Sequence, residues 1–317
     1  MPFFSIIITC YNQEKYITDA IASIKCQNFD SFECIIVDDG SCDNSSAKIQ
    51  SSICKDQRFR LLPISHSGQA SARNAGIKAA NGEYILFLDG DDAYISNCLS
   101  ECYACIHESE DLIIFGIQNT YYNEDNAIVR TESAIPQSVS FSSGRELASW
   151  YAVNHAILLY SSSNKAYKLK CLKSNGLLFD ENLSFGEDRV FNYDFLRYAG
   201  LIETIQKCFL NYRHIDSKSL SSCFISHYID TALFLHREKM KRLLPLIDAA
   251  DETVITDFIK YDFEKESHNA EQMIENNKSR LSKAEYEEET EYLQKTIRQW
   301  TLLQLNGDYY TSESIYE

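Results

Sequence analysis

The stretch YILFLDGDD ends in three carboxylates within four positions, Asp89, Asp91 and Asp92, directly behind the apolar run Tyr84 to Leu88. Like charges packed this closely repel, and each carboxylate costs free energy to desolvate. A hard divalent cation relieves both costs, and Mg2+ or Mn2+ with oxygen ligands is the natural occupant. Mg2+ takes only one or two protein carboxylates and completes its shell with water and substrate phosphate oxygens. Gly90 lets the backbone approach a ligand closely. On these residues alone, an Asp-rich surface turn after a strand is the competing reading.

A second acidic pair, Asp38 and Asp39, closes FECIIVDDGS. One of these carboxylates can accept a hydrogen bond from a nucleobase imide, or serve an ordinary Asx-type turn. The sequence FGEDRVF places Asp188 just after a glycine, at the start of the helical pattern Val190, Phe191, Phe195, Leu196. A carboxylate held there can act as a general base or merely complement the helix dipole.

These groups need elements to position them. FFSIIITC is a continuous β-branched run, as expected of a strand covered on both faces of a parallel sheet. Asn12 is placed to cap the helix that follows, in which Ile17, Ala20, Ile21 and Ile24 recur at helical spacing. FECIIVDD reads as a second strand and RLLPIS as a short third. GQASARNAGIKAANG reads as a helix closed by Gly82, and EYILFLDGDD as the next strand. This alternation predicts an α/β doubly wound sheet. Ligands of such sheets bind outside the carboxyl ends of the strands, where Thr9 with Tyr11, Asp38 with Asp39, and Asp89 with Asp91 and Asp92 are expected to converge. From Leu112 to Tyr212 short strands and helices mix, and from about Ser221 the pattern turns helical.

In order and spacing, SIIITCYNQEKYITDAIASIKCQNF, FECIIVDDGSCDNS, GQASARNAGIKAANGEYILFLDGDD and FGEDRVF resemble the family 2 glycosyltransferases, over about residues 3–215. The resemblance implies a GT-A-type, Rossmann-like, mostly parallel sheet flanked by helices, spanning 1–220, with a donor half to about 111 and an acceptor half beyond it. Residues 221–317, which the resemblance does not cover, form a helical C-terminal extension. It also implies a nucleotide pocket lined by Thr9 and Tyr11, with Tyr11 against the base, Asp39 accepting from the base beside Asp38, and Gly68 close by. Arg73 would contact the base or diphosphate region, and Gly90 would sit at the donor. By the same resemblance Asp89 and Asp91 correspond to the family's D-x-D motif, extended by Asp92, and would hold a Mn2+ or Mg2+ that bridges the two phosphates. Asp188 occupies the place of the general base, with direct attack and inversion at the sugar. Glu187 is expected to bind the acceptor or orient a neighbour. In NYRHIDSKSLSS, Arg213, His214 or Ser219 is expected to touch phosphate, or to belong to an ordinary polar loop.

Cys98, Cys102 and Cys105 carry a C-x3-C-x2-C spacing, but they also fall on one helical face, which explains them as small buried thiols. HREKMKRLL, with Arg237, Lys239, Lys241 and Arg242 ahead of Leu243, Leu244, Leu246 and Ile247, could lie on an anionic membrane, and otherwise reads as a solvated helix.

A chain of 317 residues, 44% hydrophobic, can bury a large core. Its net charge of −16, with 16 acidic against 7 basic residues from Asp251 onward, argues against nucleic acid as a partner. No secretory signal opens MPFFSIII, and no apolar run reaches the ~20 residues of a membrane span. The eleven cysteines are therefore expected to be reduced thiols in a cytoplasmic protein, at most peripheral at the membrane. The expected activity is metal-dependent transfer of one sugar from a nucleotide-diphosphate donor, foremost a UDP-sugar, to a glycan or lipid-linked glycan hydroxyl in bacterial surface polysaccharide assembly. A catalytically silent sugar-nucleotide-binding or scaffold protein of the same fold is the alternative. A nucleotidyltransferase is disfavoured because TCYNQEKY is not a Gly-rich basic loop.

Overall fold

The computed structural model describes residues 1–107, 110–123, 125, 127–155, 159–215, 224–248 and 252–305. The first part of the chain folds in the expected order with one helix added, α2, which the sequence reading did not include: β1 (Phe4–Cys10), α1 (Ile17–Lys25), β2 (Phe32–Asp38), α2 (Ser45–Ile53), β3 (Phe59–Pro63), α3 (Gln69–Ala79) and β4 (Tyr84–Asp89). A short β5 (Ala93–Tyr94) and α4 (Cys98–Ala104) follow. The second half comprises β6 (Leu112–Tyr122), β7 (Ile128–Ala134), β8 (Ser140–Phe141), α5 (Gly144–Asn154), β9 (Lys165–Lys168), α6 (Leu169–Ser174), α7 (Glu187–Leu196) and β10 (Ile202–Ile215). The C-terminal helices are α8 (Tyr228–Leu243), α9 (Glu252–Asn276) and α10 (Lys283–Leu305).

Among the described residues ten strands form one mixed sheet, whose main path runs β3-β2-β1-β4-β9-β6-β10-β5. β3, β2, β1 and β4 are all parallel, β9 is antiparallel to both its neighbours, and β10 runs parallel to β6. The register brings the polar strand ends together: Thr9 lies opposite Asp89 on one side and Val37 on the other, and Cys10 lies opposite Asp38.

Alternate residues of the central strands feed two cores because side chains alternate across a strand. Ile7, Ile35, Val37, Ile85 and Phe87 face α3, α5, α6 and α7. Ile6, Ile8, Cys34, Ile36, Leu86 and Leu88 face α1 and α4. Phe87 is fully buried and meets Tyr167, Phe179 and Phe191 edge to face, so truncating it to Ala would cost about 3–5 kcal/mol. Met240 and Leu243 of α8 and Phe258 and Ile259 of α9 enter the first of these cores, and a third core unites α8, α9 and α10 around Phe263 and Trp300. The expected boundary near 220 lies outside the described residues.

Three local expectations are corrected. Asn12 does not cap α1: it adopts φ 53° and its Oδ1 accepts from the Cys42 N–H at 2.8 Å, joining two strand-end loops. Gly82 is not a left-handed cap of α3. It is small because a Cβ there would stand 2.6 Å from the Ser5 nitrogen, and its N–H donates to Ser5 Oγ. The basic stretch on α8 is not simply a solvated helix, nor are its apolar residues free to meet a membrane. Lys239 is buried against Asp262, Arg242 pairs with Asp194 and Glu238, and Leu243, Leu246 and Ile247 are core residues. Cys98 and Cys102 are fully buried against the sheet, and the ten cysteines among the described residues are unpaired. Also among the described residues, no helix is long and apolar enough to cross a membrane.

Candidate active site at the carboxyl edge of the sheet

β4 delivers Asp89 at its last position, and the Asp92 N–H donates back to the Asp89 carbonyl to close a tight turn. Gly90 permits that turn, since a Cβ would lie 2.9 Å from the Thr9 carbonyl oxygen. The three carboxylates then face different ways. Asp89 accepts from Thr9 Oγ1 at 3.1 Å, Gln69 Nε2 at 2.8 Å and Arg73 Nη2 at 3.1 Å. Asp91 has only a long 3.5 Å contact from Gln13 Nε2 among these side chains. Asp92 is buried; its Oδ1 accepts from the Arg213 N–H at 2.8 Å, while its Oδ2 has no hydrogen-bond partner.

This crowding shows in the electrostatics. Burial, and then the Asp89 charge, push the Asp91 carboxyl up to about 6. Burial, and then the Asp91 charge, push Asp92 well above the carboxylate range. Among the described residues no three His, Cys, Asp or Glu side chains are gathered as a ligand set. A cation taking one or two carboxylates and completing its shell with phosphate oxygens and water nevertheless fits: the donors are hard oxygens, Asp91 is sparsely bonded and Asp92 Oδ2 is an orphaned acceptor.

Arg73 links this edge to α7. The guanidinium is buried on α3 beneath the strand ends, 5.2 Å from the Phe179 ring. Besides Asp89 it reaches Glu187 Oε1 at 2.8 Å and Asp188 Oδ1 at 2.5 Å through Nη1. It is thus a three-way clamp on Asp89, Glu187 and Asp188. Asp188 also accepts from the Ser162 N–H and hydroxyl, both at 3.1 Å, so both its oxygens are held. Burial, and then the Asp188 charge, push Glu187 up, with Arg73 opposing. Gly186 sets this helix start: it is left-handed at φ 81°, and a Cβ would lie 2.4 Å from Leu235 of α8.

At the opposite end of the edge, Asp38 and Asp39 are buried. Asp38 Oδ1 accepts from the Ser41 N–H, as an Asx-type turn requires. Asp39 holds the following loop: Ser67 N–H at 2.8 Å, Gly68 N–H at 2.9 Å and His66 Nδ1 at 2.9 Å. Gly68 is left-handed at φ 92° with open space around it. The half-exposed Tyr11 ring stacks on His66 with centroids 4.0 Å apart. Arg213 pins the acidic turn, its Nε donating to the Asp91 carbonyl at 3.1 Å, and lies between the Tyr16 and Tyr122 rings. His214 faces away, stacked on Tyr121 and bonded to Asn119. Ser219 lies outside the described residues.

Residues absent from the sequence reading include His66, Gln69, Ser162 and Lys165. His66 and Gln69 follow β3 in SHSGQ, a fourth polar strand end that composition alone marks only as loop. Lys165 is fully buried near Asp188, donating to Asn164 Oδ1; burial lowers it to about 7, with the Asp188 charge opposing. Ser162 carries no local signal.

A mixed, mostly parallel sheet flanked by helices, its strand ends gathering these carboxylates around a buried guanidinium, is a fold of the GT-A type. The glycosyl transferase family 2 model matches residues 5–174, over half of the chain, and the chain belongs to that family. The matched stretch stops short of Glu187 and Asp188. EpsJ of Bacillus subtilis, described as an uncharacterized glycosyltransferase, is 30% identical over 67% of this chain and 61% of its own. TarS of Staphylococcus aureus, a poly(ribitol-phosphate) β-N-acetylglucosaminyltransferase, is 27% identical over 71% of this chain and 38% of its own. The chain therefore spans less than two thirds of either relative. The crystal structure of TarS residues 1–349 in complex with UDP-GlcNAc superimposes with a TM-score of 0.63 at 23% identity, covering 85% of this chain and 73% of that one.

Proposed function

We propose that this protein is an inverting, metal-dependent glycosyltransferase that moves one sugar from a UDP-sugar to a hydroxyl of a glycan or lipid-linked glycan in bacterial surface polysaccharide assembly. The observation that carries the reading is the Arg73 clamp, which joins Asp89 of the donor edge to Asp188 on α7. The names of the relatives agree with it: TarS is named for N-acetylglucosaminyl transfer, and GgaA of Bacillus subtilis is named as a minor teichoic acid biosynthesis protein. UDP-GlcNAc is the first donor to test.

Tyr11 and the Asp38–Asp39 loop supply an aromatic face and acceptors suited to a uracil base, next to Thr9 and Asp89. Asp91, with Asp89 and Asp92 beside it, would hold Mg2+ or Mn2+. When bound, the ion neutralises the diphosphate and stabilises charge on the leaving group. Asp188 takes the proton of the acceptor hydroxyl while that oxygen bonds to the anomeric carbon and the bond to the diphosphate breaks. Ser162 and Arg73 hold the carboxylate in one orientation for that transfer. One base and one displacement give inversion. Such a reaction suits the cytoplasmic side of the membrane, where nucleotide sugars are at hand.

Incubation with labelled UDP-GlcNAc, with and without Mn2+, tests the proposal. Release of UDP that requires the ion, and rises with a glycan acceptor, is expected. Tight donor binding with neither transfer nor hydrolysis across a panel of UDP-sugars would instead support the silent sugar-nucleotide-binding alternative.

A further inference from the structure

The first turn of α7 sends its side chains two ways. Glu187 and Asp188 meet Arg73, whereas Arg189 turns toward the C-terminal helices. Its Nη1 lies 2.9 Å from Glu266 Oε1 on α9, and Glu266 is 1% exposed. The other Glu266 oxygen accepts from Asn269 at 3.2 Å. The Arg189 guanidinium also lies 4.4 Å from the Tyr160 ring. One turn earlier on α9, the buried Asp262 holds His236 and Lys239 of α8, and Lys239 is 5.2 Å from the same Tyr160 ring. Tyr160 stands two residues before Ser162, which donates twice to Asp188.

Two routes therefore run from α9 to Asp188, one through the adjacent Arg189 and one through Tyr160 and Ser162. A buried ion pair is a weak source of stability, because desolvation offsets the attraction, but it permits few orientations of the groups it joins. Here it sits beside the residue that must face the acceptor.

We propose that Arg189 and Glu266 are positioning residues for Asp188, which makes the helical extension part of the catalytic unit. This rests on the reading of Asp188 as the base. Misplacing a catalytic group by about 1 Å costs on the order of 10²-fold in rate, and the loss belongs in kcat because neither residue touches the donor pocket.

The test uses the full chain with Glu266→Gln, Arg189→Met and the conservative Arg189→Lys. Hydrogen exchange of the amides of residues 186–190 reads positioning without any substrate. Transfer rate and UDP-GlcNAc affinity are then measured on the same samples. Glu266→Gln and Arg189→Met should exchange faster at 186–190 and lose roughly 10²-fold in kcat with donor affinity intact, and Arg189→Lys should recover part of both. Unchanged exchange in the first two variants overturns the proposal, as does a loss of donor affinity parallel to the loss of rate. A wild-type protein without transferase activity would sink the functional reading instead, while the exchange data still decide whether Glu266 holds the start of α7.

Discussion

Asp89 and Asp188 share one guanidinium: Arg73 Nη2 lies 3.1 Å from Asp89 Oδ1, and Nη1 lies 2.5 Å from Asp188 Oδ1. The group proposed to sit at the donor and the group proposed to act on the acceptor are thus fixed relative to each other by one buried side chain.

Removing that side chain should be severe. Arg73→Ala leaves Asp89, Glu187 and Asp188 crowded without their cation, and breaking a buried ion pair costs about 3–5 kcal/mol. The denaturant midpoint should fall accordingly. Arg73→Lys should recover only part, because an ammonium cannot present the planar fork that reaches three carboxylates. A wild-type midpoint for Arg73→Ala would show that the clamp contributes nothing to stability.

Asp91 should cost the metal-free protein stability. Its pKa is raised to about 6, so the folded state binds a proton that the unfolded chain releases. Stability should therefore fall as pH rises from about 4 through about 6, by an amount on the order of 3 kcal/mol for a shift of this size. Asp91→Asn should flatten that slope and raise the melting temperature at pH 7. The same substitution should abolish any Mn2+ dependence of UDP affinity measured by calorimetry. In the wild type, proton competition should weaken metal binding below about pH 6.

Asp188→Asn should keep the donor bound and lose transfer. General-base catalysis contributes ~10²–10⁴-fold, so kcat should drop by at least that factor while donor affinity changes little. The comparison with Glu187→Gln locates the base. If the Glu187 variant is the one that loses kcat and the Asp188 variant transfers normally, the assignment moves by one residue.

Gly186→Ala should destabilise the protein through two separable effects. A left-handed non-glycine residue costs about 1–3 kcal/mol, and the new Cβ would press on Leu235 at 2.4 Å. Adding Leu235→Ala should relieve the second effect alone, so a double-mutant cycle of melting temperatures should show positive coupling between the two positions. Additive losses would mean that the helix start does not rest on α8.

Much of the first part of the chain, α2 excepted, was legible because its signals are local. β1, β2 and β4 are apolar runs of strand length, and the polar residues ending them mark the edge that carries the candidate site. α7 announced itself through Gly186 and the helical spacing of Val190, Phe191, Phe195 and Leu196. What escaped was contact rather than element. A helical pattern cannot say that Arg73 faces Asp188 or that Arg189 faces Glu266, because the partner of a buried charge lies on another element. Asn12 looked like a cap because capping and left-handed turn residues are drawn from the same short polar types. The basic stretch of α8 misled for a related reason: charge counts do not reveal that Lys239 and Arg242 are consumed inside the fold.

The clamp also bears on how the chain reaches its native state. Its contact between Arg73 and Asp188 closes 115 residues, that between Thr9 and Asp89 closes 80, and that between Arg213 and Asp92 closes 121. Contacts of such separation must bear the loop-closure entropy before they are rewarded, which slows folding. A nascent chain that ends before Glu187 holds Arg73 with only Asp89 among its three carboxylate partners, so the sheet's first four strands should gain their full stability only once α7 has been made.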